Sequence, residues 1–257
     1  MLPAFVGAAI SFWWTPRRDT LGFQCTPLLP DIRFRVHDGL RPQPPILSPP
    51  LATGKPSPAP PDAIVLFDGT SLANFCTATG APARWSLQNG AATPNGTGDI
   101  YSRQRFGDCE LHVEWATPTP RLRGQGRGNS GVFLMERYEI QILDSWRNPT
   151  YPDGQAGSIY GQSPPTVNAS RPPGDWQTFD IRFIAPRFAG ERLREPAYVS
   201  VWHNGVTVQK HVAIRGDTVY MAVPRYHGAA ATGAIRLQDH GNAVRFRNIW
   251  VRPLPRK

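Results

Sequence analysis

Apolar and polar residues alternate with a period of two along most of the chain. In CELHVEW (109–115), Leu111, Val113 and Trp115 fall on one side and Glu110, His112 and Glu114 on the other. That is the pattern of a strand in a sheet. Similar runs follow at IVLF (64–67), RWSLQ (84–88), DIYSR (99–103), GVFLM (131–135), YEIQIL (138–143) and WQTFDIRFIA (176–185). AYVSVWHNGVTVQKHV (197–212) predicts a hairpin turning at Asn204-Gly205, and GAIRLQDHG (233–241) and AVRFRNIWVRPL (243–254) close the series. No window favours a period of 3.6. About a dozen short strands joined by Gly, Pro and Asn turns predict an all-β, antiparallel sandwich or barrel.

Composition agrees. With 28 Pro and 24 Gly in 257 residues, a coiled coil or helical bundle is excluded. A hydrophobic fraction of 40% excludes wholesale disorder. No apolar run is long enough for a membrane helix. Residues 41–62 carry nine prolines and must be extended, either as a linker or as a strap along the domain. Upstream, IRFRV (32–36) has enough alternation to pair as an edge strand. The chain therefore divides into an arm or degraded export signal at 1–30, a proline-rich extension at 31–61 and a β domain at 62–257. Met1–Trp14 is mostly apolar, but its basic pair Arg17-Arg18 follows the apolar stretch, which is the reverse of an export signal.

The net charge of +9 comes almost wholly from Arg; Lys55, Lys210 and Lys257 are the exceptions among 28 basic residues. These charges are spread along the chain, and Arg245 and Arg247 alternate with Phe246 as solvated strand positions would. A nucleic-acid partner is not expected. Cys25, Cys76 and Cys109 show no zinc spacing; Cys76 and Cys109 pair only in an oxidising compartment, and burial of all three is the alternative. No HExxH, GxSxG or phosphate loop occurs. GQGRGNSG (124–131) lacks the Lys-Ser/Thr ending and reads as a crossing before a strand, so no nucleotide cofactor is expected. Asn95 and Asn168 head glycosylation sequons that carry no weight without a known host.

Candidate chemistry concentrates in two strands. In YEIQILD, Glu139 and Gln141 share a face between strong apolar residues, as in a polar groove, and Asp144 joins them only through a bulge. An edge strand with a polar outer face is the bland alternative. In RLQDHG, Arg236, Gln238 and His240 share a face able to hold a sugar or an anion, with Asp239 opposite, where it would pair with an Arg at a turn. His112 and Glu114 read as a salt-bridged exterior, and His203, beside a hairpin turn, as exposed scaffold. Tyr160 and Trp146 are loop aromatics placed to stack on a ligand.

Taken in order, IVLFDGTSLANF, FGDCELHVEW, GNSGVFLMERYEIQILD, PPGDWQTFDIRFIAPRF, VWHNGVTVQ and IRLQDHGNAVRFRNIWVRPL resemble the 3-keto-disaccharide hydrolase family, long called a domain of unknown function. The resemblance spans roughly 62–254, and FRVHDGLRPQPP resembles the lead-in of exported members. It implies a concanavalin A-like jelly roll and a substrate glycoside oxidised at C3 by a separate dehydrogenase. The ketone acidifies the C2 proton; a base removes it, the C1 substituent leaves, and water adds to the glycal. The resemblance places acid–base or metal work on Glu139, Asp144 and His240, with one divalent ion such as Ca or Mn. It gives substrate binding to Gln141, Gln238, Arg236, Tyr160 and Trp146, and a periplasmic or secreted location. Two rivals use the same fold. One is a lectin-like binding module. The other is a retaining glucanase, for which Glu139 and Asp144 have the motif spacing but Gln141 stands where an acid is needed.

Overall fold

The computed structural model describes residues 21–51 and 54–255. The apolar N-terminal segment Met1–Trp14 and Lys257 lie outside these residues. Fifteen strands and no α-helix are present among the described residues, and no helix is long and apolar enough to cross a membrane.

Two antiparallel sheets face one another. The larger runs Val206–Ala213 (β13), Tyr198–His203 (β12), Gln177–Ile184 (β9), Cys109–Ala116 (β6), Arg245–Pro253 (β15), Ala91–Thr93 (β4) and Ser86–Gln88 (β3), with Ile64–Phe67 (β1) also on β15. The smaller runs Phe75–Cys76 (β2), Ile100–Phe106 (β5), Gly233–Leu237 (β14), Ser130–Leu134 (β7) and Tyr138–Ile142 (β8). A short ribbon, Arg187–Ala189 (β10) with Arg192–Glu195 (β11), stands apart. The alternation read from the sequence produces the core directly. Leu111, Val113, Trp115, Phe179, Ile181 and Phe183 from the larger sheet meet Val132, Leu134, Ile140, Ile142, Ile235 and Leu237 from the smaller. Each such side chain, fully buried, contributes roughly 1.5–3 kcal/mol. This is the β-sandwich jelly roll expected. Asn204-Gly205 (φ +54° and +79°) and Asn89-Gly90 (φ +52° and +73°) form the tight turns that need left-handed backbone.

The proline-rich segment is a strap. Leu47 N–H donates to Asn168 O, Asn168 N–H donates to Pro45 O, and the Arg171 guanidinium reaches Pro50 O. Further along, Ser57 N–H donates to Glu114 Oε1 at 2.8 Å. Upstream, IRFRV does not form an edge strand: Arg35 makes a single bridge to Leu28, and the chain turns sharply at His37.

The strap corrects the exterior reading of His112 and Glu114. Both are buried on the outer face of the larger sheet. The His112 ring stacks on Trp250 at 5.0 Å, its Nδ1 lies 2.7 Å from Asp180 Oδ1, and its Nε2 faces Glu114. Arg247 Nε and Asn248 Nδ2 complete the Glu114 shell. Arg247 is thus a partner of Glu114, also lying over Trp176, rather than a solvated position. Burial alone would lower the His112 pKa, but the hydrogen bond to Asp180 and the nearby Glu114 carboxylate outweigh it and hold the imidazolium to about 9. Burial alone would raise Glu114, but its donors bring it down to about 2. The linkage then has a defined window. The His112 contribution is full below its unfolded pKa of about 6.5 and is lost as pH rises through about 9. The Glu114 contribution is full above about 4.3 and is lost as pH falls through about 2. Urea midpoints measured across pH should decline from pH 6.5 to 9 in the native chain, and His112→Phe should flatten that decline.

His203 is likewise a correction. It is buried, stacked on Trp115 at 5.6 Å, with Nε2 3.2 Å from Gln177 Oε1. Burial, reinforced by Arg171, lowers its pKa to about 3 and keeps it neutral. The cysteines are all free: Cys25 is exposed, Cys76 partly buried, and Cys109 buried with its thiol pushed up to about 12 by desolvation.

Candidate active site

The smaller sheet has one face in the core and one turned outward, and the outward face carries the polar residues of β8 and β14 on either side of Gly131 and Phe133 of β7. Register sets them in rows. Phe133 pairs with Glu139 and with Arg236, giving a row Arg236–Phe133–Glu139 across three strands. Gly131 pairs with Gln141, and Gln238 N–H donates to Gly131 O, giving a second row Gln238–Gly131–Gln141. The middle positions shape both rows. A Cβ at Gly131 would stand 2.4 Å from Glu139 Oε1, so only glycine leaves the carboxyl its place. Phe133 carries the Arg236 guanidinium over its ring at 3.4 Å.

These rows floor a cleft of ≈ 410 Å³. Glu139, Gln141, Arg236, Gln238, His240 and Tyr160 all line it, so the structure brings six of the eight residues singled out in the sequence into one site. Asp144 and Trp146 are not among its lining residues. The Asp144 carboxyl accepts from Arg127 Nε at 2.6 Å and from Trp146 N–H, and it is buried. Burial raises its pKa against the opposing effect of Arg127. Trp146 packs beside Arg147, and its carbonyl accepts from Arg127. Asp239 caps the Gly96–Gly98 turn through its carboxylate instead of pairing with an Arg; Arg236 pairs with Asp99 at 3.3 Å.

Other lining residues were not singled out by the sequence. Gln125 and Asn129 come from GQGRGNSG, which is a crossing but not an idle one. Gln141 Nε2 donates to Asn129 Oδ1 at 3.2 Å and to Gln125 Oε1 at 3.3 Å. Tyr151 and Tyr160 form a wall with their hydroxyls 3.0 Å apart, and burial raises both phenols. Tyr220 and Thr218 close one side, Thr218 Oγ1 accepting from Glu139 N–H.

Electrostatically the cleft centres on Glu139. Its side chain is buried, and no hydrogen bond or ion pair among the described residues engages its carboxyl. Burial raises its pKa to about 8, with Arg236 opposing and Asp99 adding to the shift. Around it, Gln141 Oε1, Gln238 Oε1 and Arg236 Nε are buried with no partner among the described residues. Several unmatched polar atoms in one cleft are costly unless a ligand satisfies them.

The metal expectation meets this geometry less well. Glu139 and His240 face the cleft, but Asp144 is committed to Arg127, and no group of three or more His, Cys, Asp or Glu side chains placed to hold an ion occurs among the described residues. The residues present do not supply the donor set that the sequence suggested.

The model of the 3-keto-alpha-glucoside-1,2-lyase-like domain matches residues 62–252, the whole of the sandwich. The chain belongs to this family. A 3-keto-disaccharide hydrolase of Bacteroides thetaiotaomicron is 25% identical over 237 residues, covering 74% of this chain and 78% of the relative. A crystal structure of a candidate glycosyl hydrolase from Parabacteroides distasonis superposes with a TM-score of 0.76 at 43% identity, covering 83% of this chain and 93% of that one. A second from the same organism, at 20% identity and a TM-score of 0.56, shares the fold. Membership of the 3-keto-alpha-glucoside-1,2-lyase-like family places the chain among carbohydrate-active hydrolases.

Proposed function

We propose that the cleft cleaves glycosides whose sugar carries a ketone at C3, by elimination and hydration. The observation that carries this reading is that Glu139 is the single carboxylate among the residues lining the cleft and faces a guanidinium, Arg236. Retaining glycoside hydrolysis needs two carboxyl groups about 5–5.5 Å apart across the bond. Here the second candidate, Asp144, is turned onto Arg127. In a purely binding cleft the same carboxyl would accept from sugar hydroxyls, and turnover separates the two readings.

Elimination needs one base and one centre of positive charge. The Glu139 carboxylate takes the C2 proton, and its raised pKa makes it a stronger base near neutral pH. Electron density moves onto the C3 oxygen, where the Arg236 guanidinium stabilises the enolate. The pair then returns to form C1=C2 as the C1–O bond breaks, and His240, on the exposed rim, protonates the departing oxygen. Water adds OH to C1 and H to C2, regenerating the keto sugar. Gln141 and Gln238 present their unpaired oxygens to sugar hydroxyls. On this reading the ketone is supplied by a separate dehydrogenase acting on the glycoside beforehand.

The test is release of a chromogenic aglycone from a 3-keto-glucoside beside the unoxidised glucoside. Release from the keto sugar alone is the expected result. Equal release from the plain glucoside would overturn the elimination reading in favour of ordinary hydrolysis, and no release from either, with retained binding, would leave a lectin-like module.

A further inference from the structure

The segment upstream of the family-matched region packs a side chain against the tyrosines of the cleft wall. His37 is wholly buried, and its ring centroid lies 4.3 Å from that of Tyr151, 4.7 Å from Tyr160 and 5.8 Å from Tyr220. All three tyrosines line the cleft. Asp153, also wholly buried, holds His37 twice: its Oδ2 accepts the His37 backbone N–H at 2.9 Å, and its Oδ1 lies 3.3 Å from Nδ1. Arg41 Nη1 stands 3.4 Å from the same carboxylate and donates to Gln162 O.

Two features show that packing alone is a poor account of this histidine. His37 Nε2 is buried with no partner among the described residues, a cost that a phenylalanine filling the same space would avoid. Its backbone sits at φ +55°, a left-handed conformation uncommon for a non-glycine residue, and Asp153 Oδ2 ties down its N–H there. Gly161 keeps the ring edge uncrowded: a Cβ there would press on Cε1 at 3.3 Å and on Nε2 at 3.7 Å. With Nδ1 directed to Asp153, the ring orientation is fixed and the ring packs against those of Tyr151 and Tyr160.

We propose that His37, oriented by Asp153, is a positioning residue that sets the Tyr151–Tyr160 hydroxyl pair against the bound sugar, so that the catalytic unit begins upstream of residue 62. The orientation is independent of the proposed reaction; its consequence for turnover rests on that reading.

Two measurements on the full chain test it. Long-range ¹H–¹⁵N spectra of the free protein should show His37 locked in one tautomer, protonated at Nδ1, and Asp153→Asn should release that lock. A His37 signal averaged over both tautomers in the native chain would overturn the orientation. On a 3-keto-glucoside, His37→Phe keeps an aromatic ring against the tyrosines and should lower kcat by about 10²-fold, as misplacement of cleft groups does, with KM changed less than threefold. Asp153→Asn should lower kcat in the same sense while keeping the side-chain volume. A kcat within threefold of the native value for both variants would overturn the proposal. So would a loss that only follows the folded fraction measured by near-UV circular dichroism. If the native chain leaves the keto sugar intact, the reaction reading fails, and the tautomer measurement still decides the orientation.

Discussion

Glu139→Gln should lower kcat on a 3-keto-glucoside by roughly 10²–10⁴-fold, the usual worth of a positioned general base, with far-UV circular dichroism unchanged. The amide occupies nearly the same volume beside Gly131 and cannot accept the C2 proton. The native pH profile should carry the same signature. Burial raises the carboxyl to about 8, so kcat/KM should climb with pH and level off above that value. The variant should lack this limb. Stability should move the other way. The folded state retains a proton that the unfolded chain releases near pH 4.3. The native chain therefore loses stability as pH rises from there to about 8, and above that the loss is complete. Glu139→Gln removes the titration, so its melting temperature relative to the native chain should increase over that interval and then stay constant. A variant that is both inactive and more stable at pH 8 would separate function from folding at one residue. Near-native turnover would remove Glu139 from the chemistry.

Much of this site is legible in the sequence because strands convert spacing into direction. Glu139 and Gln141 share a face, as do Arg236, Gln238 and His240, and strand register joins the two sets through β7. The same logic fails where the chain is irregular. Asp144 lies just past the end of β8, where alternation no longer dictates direction, and Arg127, 17 residues upstream, captures it. His112 looks exposed because a polar residue on an outer face ordinarily meets water, and His203 because a residue beside a hairpin turn ordinarily does. In one case a strap tied at Ser57, and in the other the Gln177–Asn204 network, replaces that water. His37 is the least legible of all. Its partner Asp153 is 116 residues away, and its neighbours carry no periodicity that aims it. The one hint was the resemblance of FRVHDGLRPQPP to a family lead-in, which marks a segment without giving a role. The short strands β2, β4, β10 and β11 also escaped notice, having four residues or fewer each, too short for a period to register.

Arg236→Met should lower kcat by about 10²–10³-fold, comparable to deleting one donor from an oxyanion site. Methionine retains much of the apolar stem against Phe133 but has no charge to meet the enolate oxygen. A second consequence separates this role from simple binding. Arg236 opposes the upward shift of Glu139, so its removal leaves burial and Asp99 to act alone. The rising limb of the kcat/KM profile should therefore move above its native position near 8. Asp99 loses its own partner at the same time, which adds to the negative potential around Glu139. Asp99→Asn should do the reverse, lowering the limb while leaving the guanidinium over Phe133. Opposite displacements in the two variants would tie the base and its electrostatic partner into one unit. An unmoved limb in both would mean that the titrating group is not Glu139, and would shift the search for the base to His240 on the rim of the same cleft.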